Sequence, residues 1–466
     1  MPENNKVFNI AIIGGGFTGT MAAVHLIKNA KMPVSIALIN KGGQLAKGTA
    51  YSTTDRVHLL NVPARNMSAY PDEPGHFVNW LRQNNRHLEM EDSGLPLEED
   101  FVPRLIYGEY ISAQLYEAIS EHKQAHIQIF EAEAVDINMA DEKAHISLDS
   151  GDTIRTEKVL FAMGNNVPAN LHIRDESFYE TANYQQNPYD LGKLAAIAKT
   201  QTVLIIGTGL TMVDVVNTLK NQGHEGTITG ISRNGKLPHP HSDFVKYPDF
   251  IAPHIHKPPR ELLAIIEEEK KKAGARGIPW QSVIDSMRPH HHEIWTQFSP
   301  ESKKYFAENL GAAWGVVRHR MARAIMRRME HWQKTGELEI KKGSLASLSN
   351  TAGKVEVVIK DGDAPEQVFW VDYVINCTGP MHNIAKIDKP FYKNMLAKGI
   401  ISPGPLNIGL NSTPEFEVID KEGGISEMFY VAGPLLIGVL WESIAVPELR
   451  RQARDVADKL LKTPPR

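Results

Sequence analysis

The chain holds a single cysteine, Cys377. An intramolecular disulfide and a Cys-x-x-C pair are therefore both excluded, and any redox chemistry has to proceed without a protein dithiol. Long apolar runs are missing as well. The stretch from Val431 to Trp441 is short and broken by Gly433, Pro434 and Gly438, so no membrane span is expected. Charge of one sign is not in excess: 51 Lys and Arg stand against 55 Asp and Glu, a formal net charge of −4. No global field draws such a chain to nucleic acid or anionic lipid, and a nucleic-acid partner is not expected. The start, Met1 to Lys6, runs straight into an apolar strand with no room for a secretion signal, which reads as cytoplasmic. Internal repeats and low-complexity tracts are absent, apart from one motif that occurs twice.

That motif carries the reading. Val7 to Ile13 is an apolar run typical of a buried parallel strand, followed by Gly14-Gly15-Gly16-Phe17-Thr18-Gly19 and a helix-like segment from Thr20 to Lys28. In such a G-x-G-x-x-G turn Gly14 permits the tight bend, Gly16 lets the backbone approach a pyrophosphate, and Gly19 lets the helix pack on the strand. The phosphates then meet free N–H groups at a helix N-terminus. A second strand, Val34 to Ile39, ends before Asn40, where an acidic residue ordinarily holds the ribose; an amide still accepts from a hydroxyl.

The second copy follows Thr202 to Ile206 and reads Gly207-Thr208-Gly209-Leu210-Thr211-Met212. Met212 replaces the third glycine, and a side chain of that size is expected to push the helix away from the strand. The next strand, Thr227 to Ile231, ends in Ser232-Arg233. A hydroxyl and a guanidinium there suit a 2′-phosphate, so NADPH is expected ahead of NADH; the alternative is an arginine on a solvated turn. One dinucleotide site suggests a dehydrogenase, whereas two suggest a flavoprotein that takes electrons from a nicotinamide.

With 466 residues, 42% of them hydrophobic, the chain is long enough for two or three domains. The expected fold is α/β, with two Rossmann-like units and a helical insertion. Residues 1–190 form the first part of an FAD domain, 191–345 an NAD(P)H domain with helices over about 236–336, and 346–466 the second part of the FAD domain. Strands are expected near Ile127–Phe130, Ala144–Leu148, Lys158–Phe161, Val355–Ile359 and Tyr373–Asn376, with Cys377 buried after the last.

Several further segments carry a resemblance. Gly48-Thr49-Ala50-Tyr51-Ser52, His58 to Ala64, Phe77 to Leu81, Phe101 to Arg104, Tyr107 to Tyr110, Trp441-Glu442-Ser443 and Val446 to Arg450 resemble the FAD/NAD(P)-binding family that includes FAD-dependent urate hydroxylases and aspartate N-monooxygenases. The resemblance implies FAD at Gly14, Gly16, Phe17, Thr18 and Gly19, with Asn40, the Gly43-Gln44 turn, Asn61 near the flavin ring, and Gly433. Related flavoproteins carry Gly-Asp at this last place; here Pro434 replaces the acid and leaves the ribitol contact unassigned. NADPH falls to Gly207, Gly209, Leu210, Thr211, Ser232 and Arg233. The implied reaction is monooxygenation through an oxygenated flavin, with a small polar, nitrogen-containing substrate and oxygen as partners. The alternatives are a reductase of a quinone or partner protein, and a flavin-binding redox sensor.

Catalytic residues and oligomeric state are not legible. Arg65 and Arg104 are candidates for an acidic substrate, each weighed against a surface or ion-paired role. His239, with His241 and Asp243, has a metal-like spacing, but the proline-broken segment reads as a lid beside the nicotinamide, and no metal is expected. The run His290-His291-His292 reads as a solvated helix start. Arg320, Arg323 and Arg327 share one helix face and read as internally ion-paired; Trp314, Arg318, His319 and Arg320 either line a substrate channel or dock the insertion.

Overall fold

The computed structural model describes residues 6–42, 45–351 and 353–462. The strands are β1 (Val7–Ile13), β2 (Val34–Ile39), β3 (Ala125–Phe130), β4 (Ala134–Ala140), β5 (Lys143–Leu148), β6 (Thr153–Phe161), β7 (Tyr184–Gln185), β8 (Val203–Ile206), β9 (Ile228–Ser232), β10 (Leu338–Lys342), β11 (Ser344–Thr351), β12 (Lys354–Lys360), β13 (Gln367–Val371), β14 (Tyr373–Asn376), β15 (Glu417–Ile419) and β16 (Ile425–Val431).

Among the described residues they build three sheets. The first runs β15-β16-β6-β1-β2-β3, with the β4-β5 hairpin attached to β6. Strands β16, β6, β1, β2 and β3 are mutually parallel, which explains why β1 and β2 are apolar at nearly every position instead of alternating: both faces are covered. One cover is the helix Phe17–Asn29, buried from Phe17 through Ile27, which packs against helices Arg104–Glu121 and Val446–Lys462.

The second sheet, β10-β9-β8-β14-β7, is parallel throughout. The helix Leu210–Asn221 connects β8 to β9. Between β9 and β10 lies the helical insertion, from Pro259–Ala275 to Arg323–Lys334. The third sheet, β11-β12-β13, is antiparallel and packs its apolar face on the second through Leu348, Val355, Val357 and Ile206. The fold is thus α/β with two Rossmann-like units and a helical insertion.

One boundary differs from the expected one. Strand β14 does not return to the first sheet: it pairs with β8, Tyr373 opposite Val203 and Asn376 opposite Ile206. The second unit therefore extends through Cys377, which is buried, and the chain rejoins the first sheet only at β15 and β16. The cause is that a buried parallel strand reads the same whichever sheet receives it.

Candidate functional site

Each parallel sheet offers the same turn at the C-terminal edge of its leading strand. At the first, Gly14 has φ +114°, and a Cβ there would lie 2.2 Å from the carbonyl oxygen of Ala162 at the end of β6. At the second, Gly207 has φ +98°, and its Cβ would lie 2.5 Å from the carbonyl oxygen of Cys377 at the end of β14. Only glycine fits either position. Gly16 and Gly209 are the N-caps of the following helices, with φ −79° and −81°, and neither helix has a side-chain cap. Unlike Gly14 and Gly207, these two face open space: a Cβ on Gly16 would meet only Gly48 Cα at 3.5 Å, and one on Gly209 nothing within 4 Å. A cradle that a methyl would fill, beneath the uncapped N–H groups of a helix, fits a dinucleotide pyrophosphate in both units.

The turns differ at the third position. A Cβ on Gly19 would lie 1.9 Å from Gly14 O, so the first helix sits directly on its turn. Met212 is fully buried, and its sulfur would be 2.8 Å from a Cβ on Gly230 of β9. The glycine that admits it lies in the neighbouring strand, a compensation the motif alone did not reveal.

Around the first turn, Phe17 is buried and stacks on Tyr107. Thr18 Oγ1 would be 3.1 Å from a Cβ on Gly433, which has φ +89°. Gly433 N–H donates to Gln452 Oε1 at 2.8 Å, while Gln452 Nε2 is buried without a partner among the described residues. Asn40 is 8% exposed; its amide donates to Gly42 O at 3.1 Å, and Oδ1 packs over Gly15 with no donor among the described residues. Gly43 and Gln44 lie outside the described residues. Around the second turn, Leu210 and Thr211 open the helix, Thr211 Oγ1 lying 3.4 Å from Tyr189 Oη. The Ser232 hydroxyl lies 2.7 Å from Thr208 Oγ1 and accepts from Gly235 N–H at 3.1 Å. Arg233 is exposed and has no ion pair or hydrogen bond among the described residues.

Between the units runs a seam centred on residues 58–61. His58 Nε2 lies 2.7 Å from Thr218 Oγ1. Arg104 Nε donates to Leu59 O at 3.0 Å and its Nη2 lies 2.9 Å from Asp214 Oδ2, with both side chains 14% exposed. Burial works against the Arg104 charge, but Asp214 together with Tyr189 and Tyr51 outweighs it and raises the guanidinium pKa. Asn61 contributes its carbonyl, which accepts from His241 Nε2 at 2.9 Å. A carbonyl only accepts, so Nε2 carries a proton; burial, aided by Arg320, lowers the pKa from 6.5 to about 4 and keeps the ring neutral at pH 7.

These contacts correct three expectations. Arg104 is engaged by Asp214 and Leu59, and Arg65 pairs with Glu99 while lying over the Phe244 ring; both arginines are neutralised within the protein instead of standing free for an acidic substrate. His290 pairs with Asp249, His292 Nε2 meets Glu442 O at 2.7 Å, and His291 is buried, so the histidine run is a docking element and not a solvated helix start. His239 is exposed and meets the Trp280 ring edge-on at 5.3 Å. Among the described residues no three His, Cys, Asp or Glu side chains gather closely enough to hold a metal ion.

Docking of the insertion was one reading of the Trp314, Arg318, His319 and Arg320 cluster; the parts of Arg288 and Trp295 in it were missed in the sequence. Arg288 makes two hydrogen bonds to Glu448, at 2.6 and 2.7 Å; burial opposes both charges, but the hydrogen bonds and the surrounding charges together outweigh it, lowering the Glu448 pKa and raising that of Arg288. Trp314 Nε1 donates to Glu442 Oε1 at 2.7 Å and Trp295 Nε1 to Gly438 O at 2.9 Å. Arg320 pairs with Asp285 and Arg323 with Asp243. Arg320 precedes the helix Arg323–Lys334, so the expected three-arginine face is interrupted. The available signal was the spacing of Trp and Arg in the insertion against Glu442 and Glu448, which only the tertiary structure connects.

Residues 11–166 match the family model described as FAD-NAD(P)-binding. The matched residues lie within the first unit. No curated protein matches the chain. Among solved structures, ornithine hydroxylase from Pseudomonas aeruginosa superposes with a TM-score of 0.65 at 12% identity, covering 98% of this chain and 99% of the other. L-lysine 6-monooxygenase from Pseudomonas syringae gives 0.66 at 13%, covering 97% and 99%. Thioredoxin reductase from Lactococcus lactis gives 0.53 at 11%, covering 98% of each. At these identities the likeness is one of fold: this chain has the fold shared by these proteins along nearly its whole length. No helix among the described residues is long and apolar enough to cross a membrane.

Proposed function

We propose that the protein is an FAD-dependent, NADPH-consuming monooxygenase of a small nitrogen-containing substrate, with oxygen as co-substrate, working in the cytoplasm. The observation that carries the redox part is the pair of matched glycine turns, each with open space at its second glycine and an uncapped helix behind it. The oxygenase part is supported by the ornithine hydroxylase and lysine monooxygenase folds, which match with higher TM-scores than the reductase fold.

When bound, FAD supplies a hydride acceptor for NADPH and a centre at which oxygen is activated. The chain's own residues bind and orient. Gly14, Gly16 and Gly19 with the helix beginning at Phe17 take the FAD pyrophosphate; Asn40 Oδ1 accepts from a ribose hydroxyl; Thr18 and Gly433 border the same turn. Gly207, Gly209, Leu210 and Thr211 take the NADPH pyrophosphate, with Arg233 pairing with the 2′-phosphate beside Ser232. The seam of His58, Arg104, Asp214 and His241 fixes one unit against the other.

A reductase acting through a protein dithiol is disfavoured by the single cysteine: burial pushes the Cys377 thiol pKa well above its ordinary value, the opposite of what a reactive thiolate needs. The deciding experiment mixes NADPH-reduced protein with oxygenated buffer and follows the flavin spectrum, hydrogen peroxide and, with small amines added, hydroxylamine product. A lag before the oxidised spectrum returns, with product formed in proportion to NADPH consumed, supports oxygenation. Immediate return with peroxide alone overturns it in favour of a reductase, and failure of NADPH to reduce the flavin favours a sensor.

A further inference from the structure

The insertion does more than dock. Where its helices meet the segment after Gly433 they line a half-open cavity of about 170 Å³, with Trp295, Phe298, Phe306, Trp314 and Trp441 in its wall. A cavity of about 150 Å³ with apolar walls is large enough for benzene, so this one takes one ring-sized group. Trp441 is held at φ +56°, a conformation a bulky side chain rarely adopts and one that recurs where a ligand is clamped.

Four side chains in the wall are not apolar: Glu267, Lys270, His291 and Glu442. His291 lines the cavity, is 8% exposed, and has no hydrogen-bond partner on either ring nitrogen among the described residues. It stands edge-on to Trp314 at 5.2 Å. Burial, reinforced by Arg318 and Arg288, keeps it neutral, so it offers one donor and one acceptor. Glu442 also borders the cavity, but its carboxylate accepts from Trp314 Nε1 at 2.7 Å and faces Arg318 Nε at 3.5 Å. Glu267 and Lys270 pair with each other at 2.7 Å, so each charge in the lining already has a partner within the protein, and burying an ammonium or a carboxylate alone is costly.

We propose that this cavity holds the body of the organic substrate: one ring-sized apolar group bearing a single neutral hydrogen-bonding substituent, as in an aromatic amine, met by His291. The identification as substrate rests on the monooxygenase reading; the binding does not. Its connection to the redox site is covalent and short, because Trp441 and Glu442 belong to the segment joining Gly433 to the helix Val446–Lys462, which packs along the helix of the first glycine turn. The cavity separates this chain from enzymes whose substrates are ornithine or lysine, both charged and flexible.

The test is calorimetric titration of the full-length, FAD-loaded protein with aniline, with its isostere toluene, and with ornithine. Aniline binds at one site, toluene about tenfold more weakly for want of the hydrogen bond, and ornithine does not displace aniline. Ala313→Phe, which fills the cavity, abolishes binding of both rings; His291→Phe leaves a cavity that no longer distinguishes them. Should Ala313→Phe fail to fold, the aniline-to-toluene ratio in wild type and His291→Phe still decides. No aniline binding, equal affinities in the wild type, or displacement by ornithine overturns the inference. These outcomes are independent of flavin reduction by NADPH, whose failure would overturn the redox reading and leave aniline binding intact.

Discussion

Arg104 and Asp214, 2.9 Å apart with both side chains 14% exposed, tie the helix that follows the first unit's Phe101-Val102-Pro103 segment to the helix that opens the second unit's glycine turn. A pair in this position bears on how the two glycine turns face each other.

Removing one partner is therefore worse than removing both. Arg104→Met or Asp214→Leu alone leaves a largely buried charge and costs about 3 kcal/mol of unfolding free energy. The double variant recovers a substantial part of that loss, as a double-mutant cycle by urea unfolding will report. Additive losses would mean that the two side chains are not energetically coupled.

Gly16→Ala and Gly209→Ala are expected to separate the two cofactors without unfolding the chain. Both positions have backbone angles any residue adopts and room for a methyl in the protein itself, so the methyl competes only with a ligand. Gly16→Ala purifies folded but without flavin colour. Gly209→Ala keeps its flavin and raises the KM for NADPH at least tenfold. Gly19→Ala is the contrasting case, because its methyl would lie 1.9 Å from Gly14 O, and it loses stability as well as flavin. Circular dichroism and flavin absorbance together check all three.

The two glycine turns were legible because each residue in them answers to a local constraint: a positive φ, a close carbonyl, an open N-cap. The α/β class was legible from apolar runs such as Val7–Ile13. What escaped the sequence was pairing at a distance. Tyr373–Asn376 reads as a strand without stating which sheet takes it, and Met212 looks disruptive until Gly230 is seen beneath it. Arg104 and Arg65 look available until Asp214 and Glu99 arrive from elsewhere in the chain. His291 reads as exposed because histidines at a helix start usually are, and its burial depends on Trp314, which lies on another helix.

Arg233 takes its proposed role from having no partner among the described residues. Arg233→Ala removes a guanidinium that pairs with a 2′-phosphate but contributes little to the rest of the cofactor. The expected result is a KM for NADPH raised about tenfold or more, the usual scale of an exposed to partly buried charge-assisted hydrogen bond, with the KM for NADH nearly unchanged. Equal increases for the two cofactors would remove Arg233 from the 2′-phosphate and leave it on a solvated turn.

His241 gives the seam between the units a pH dependence of definite sign. Burial holds its folded pKa at about 4, below the ordinary 6.5, so as pH falls the unfolded chain takes up a proton first. The stability it permits is complete above about pH 6.5 and is lost as pH falls toward 4, an effect of about 3 kcal/mol for a shift of this size. Protonation would leave the Nε2–H bond to Asn61 O in place but put a third positive charge beside those of Arg320 and Arg318, against which only Asp285 raises the pKa through its charge. His241→Gln keeps an N–H for Asn61 and does not titrate. Its unfolding free energy should fall less steeply between pH 6.5 and 4 than that of the wild type, with His25, also held at about 4 by burial, supplying part of what remains. Identical slopes for the two proteins would show that His241 exchanges its proton in the folded state as readily as in the unfolded one.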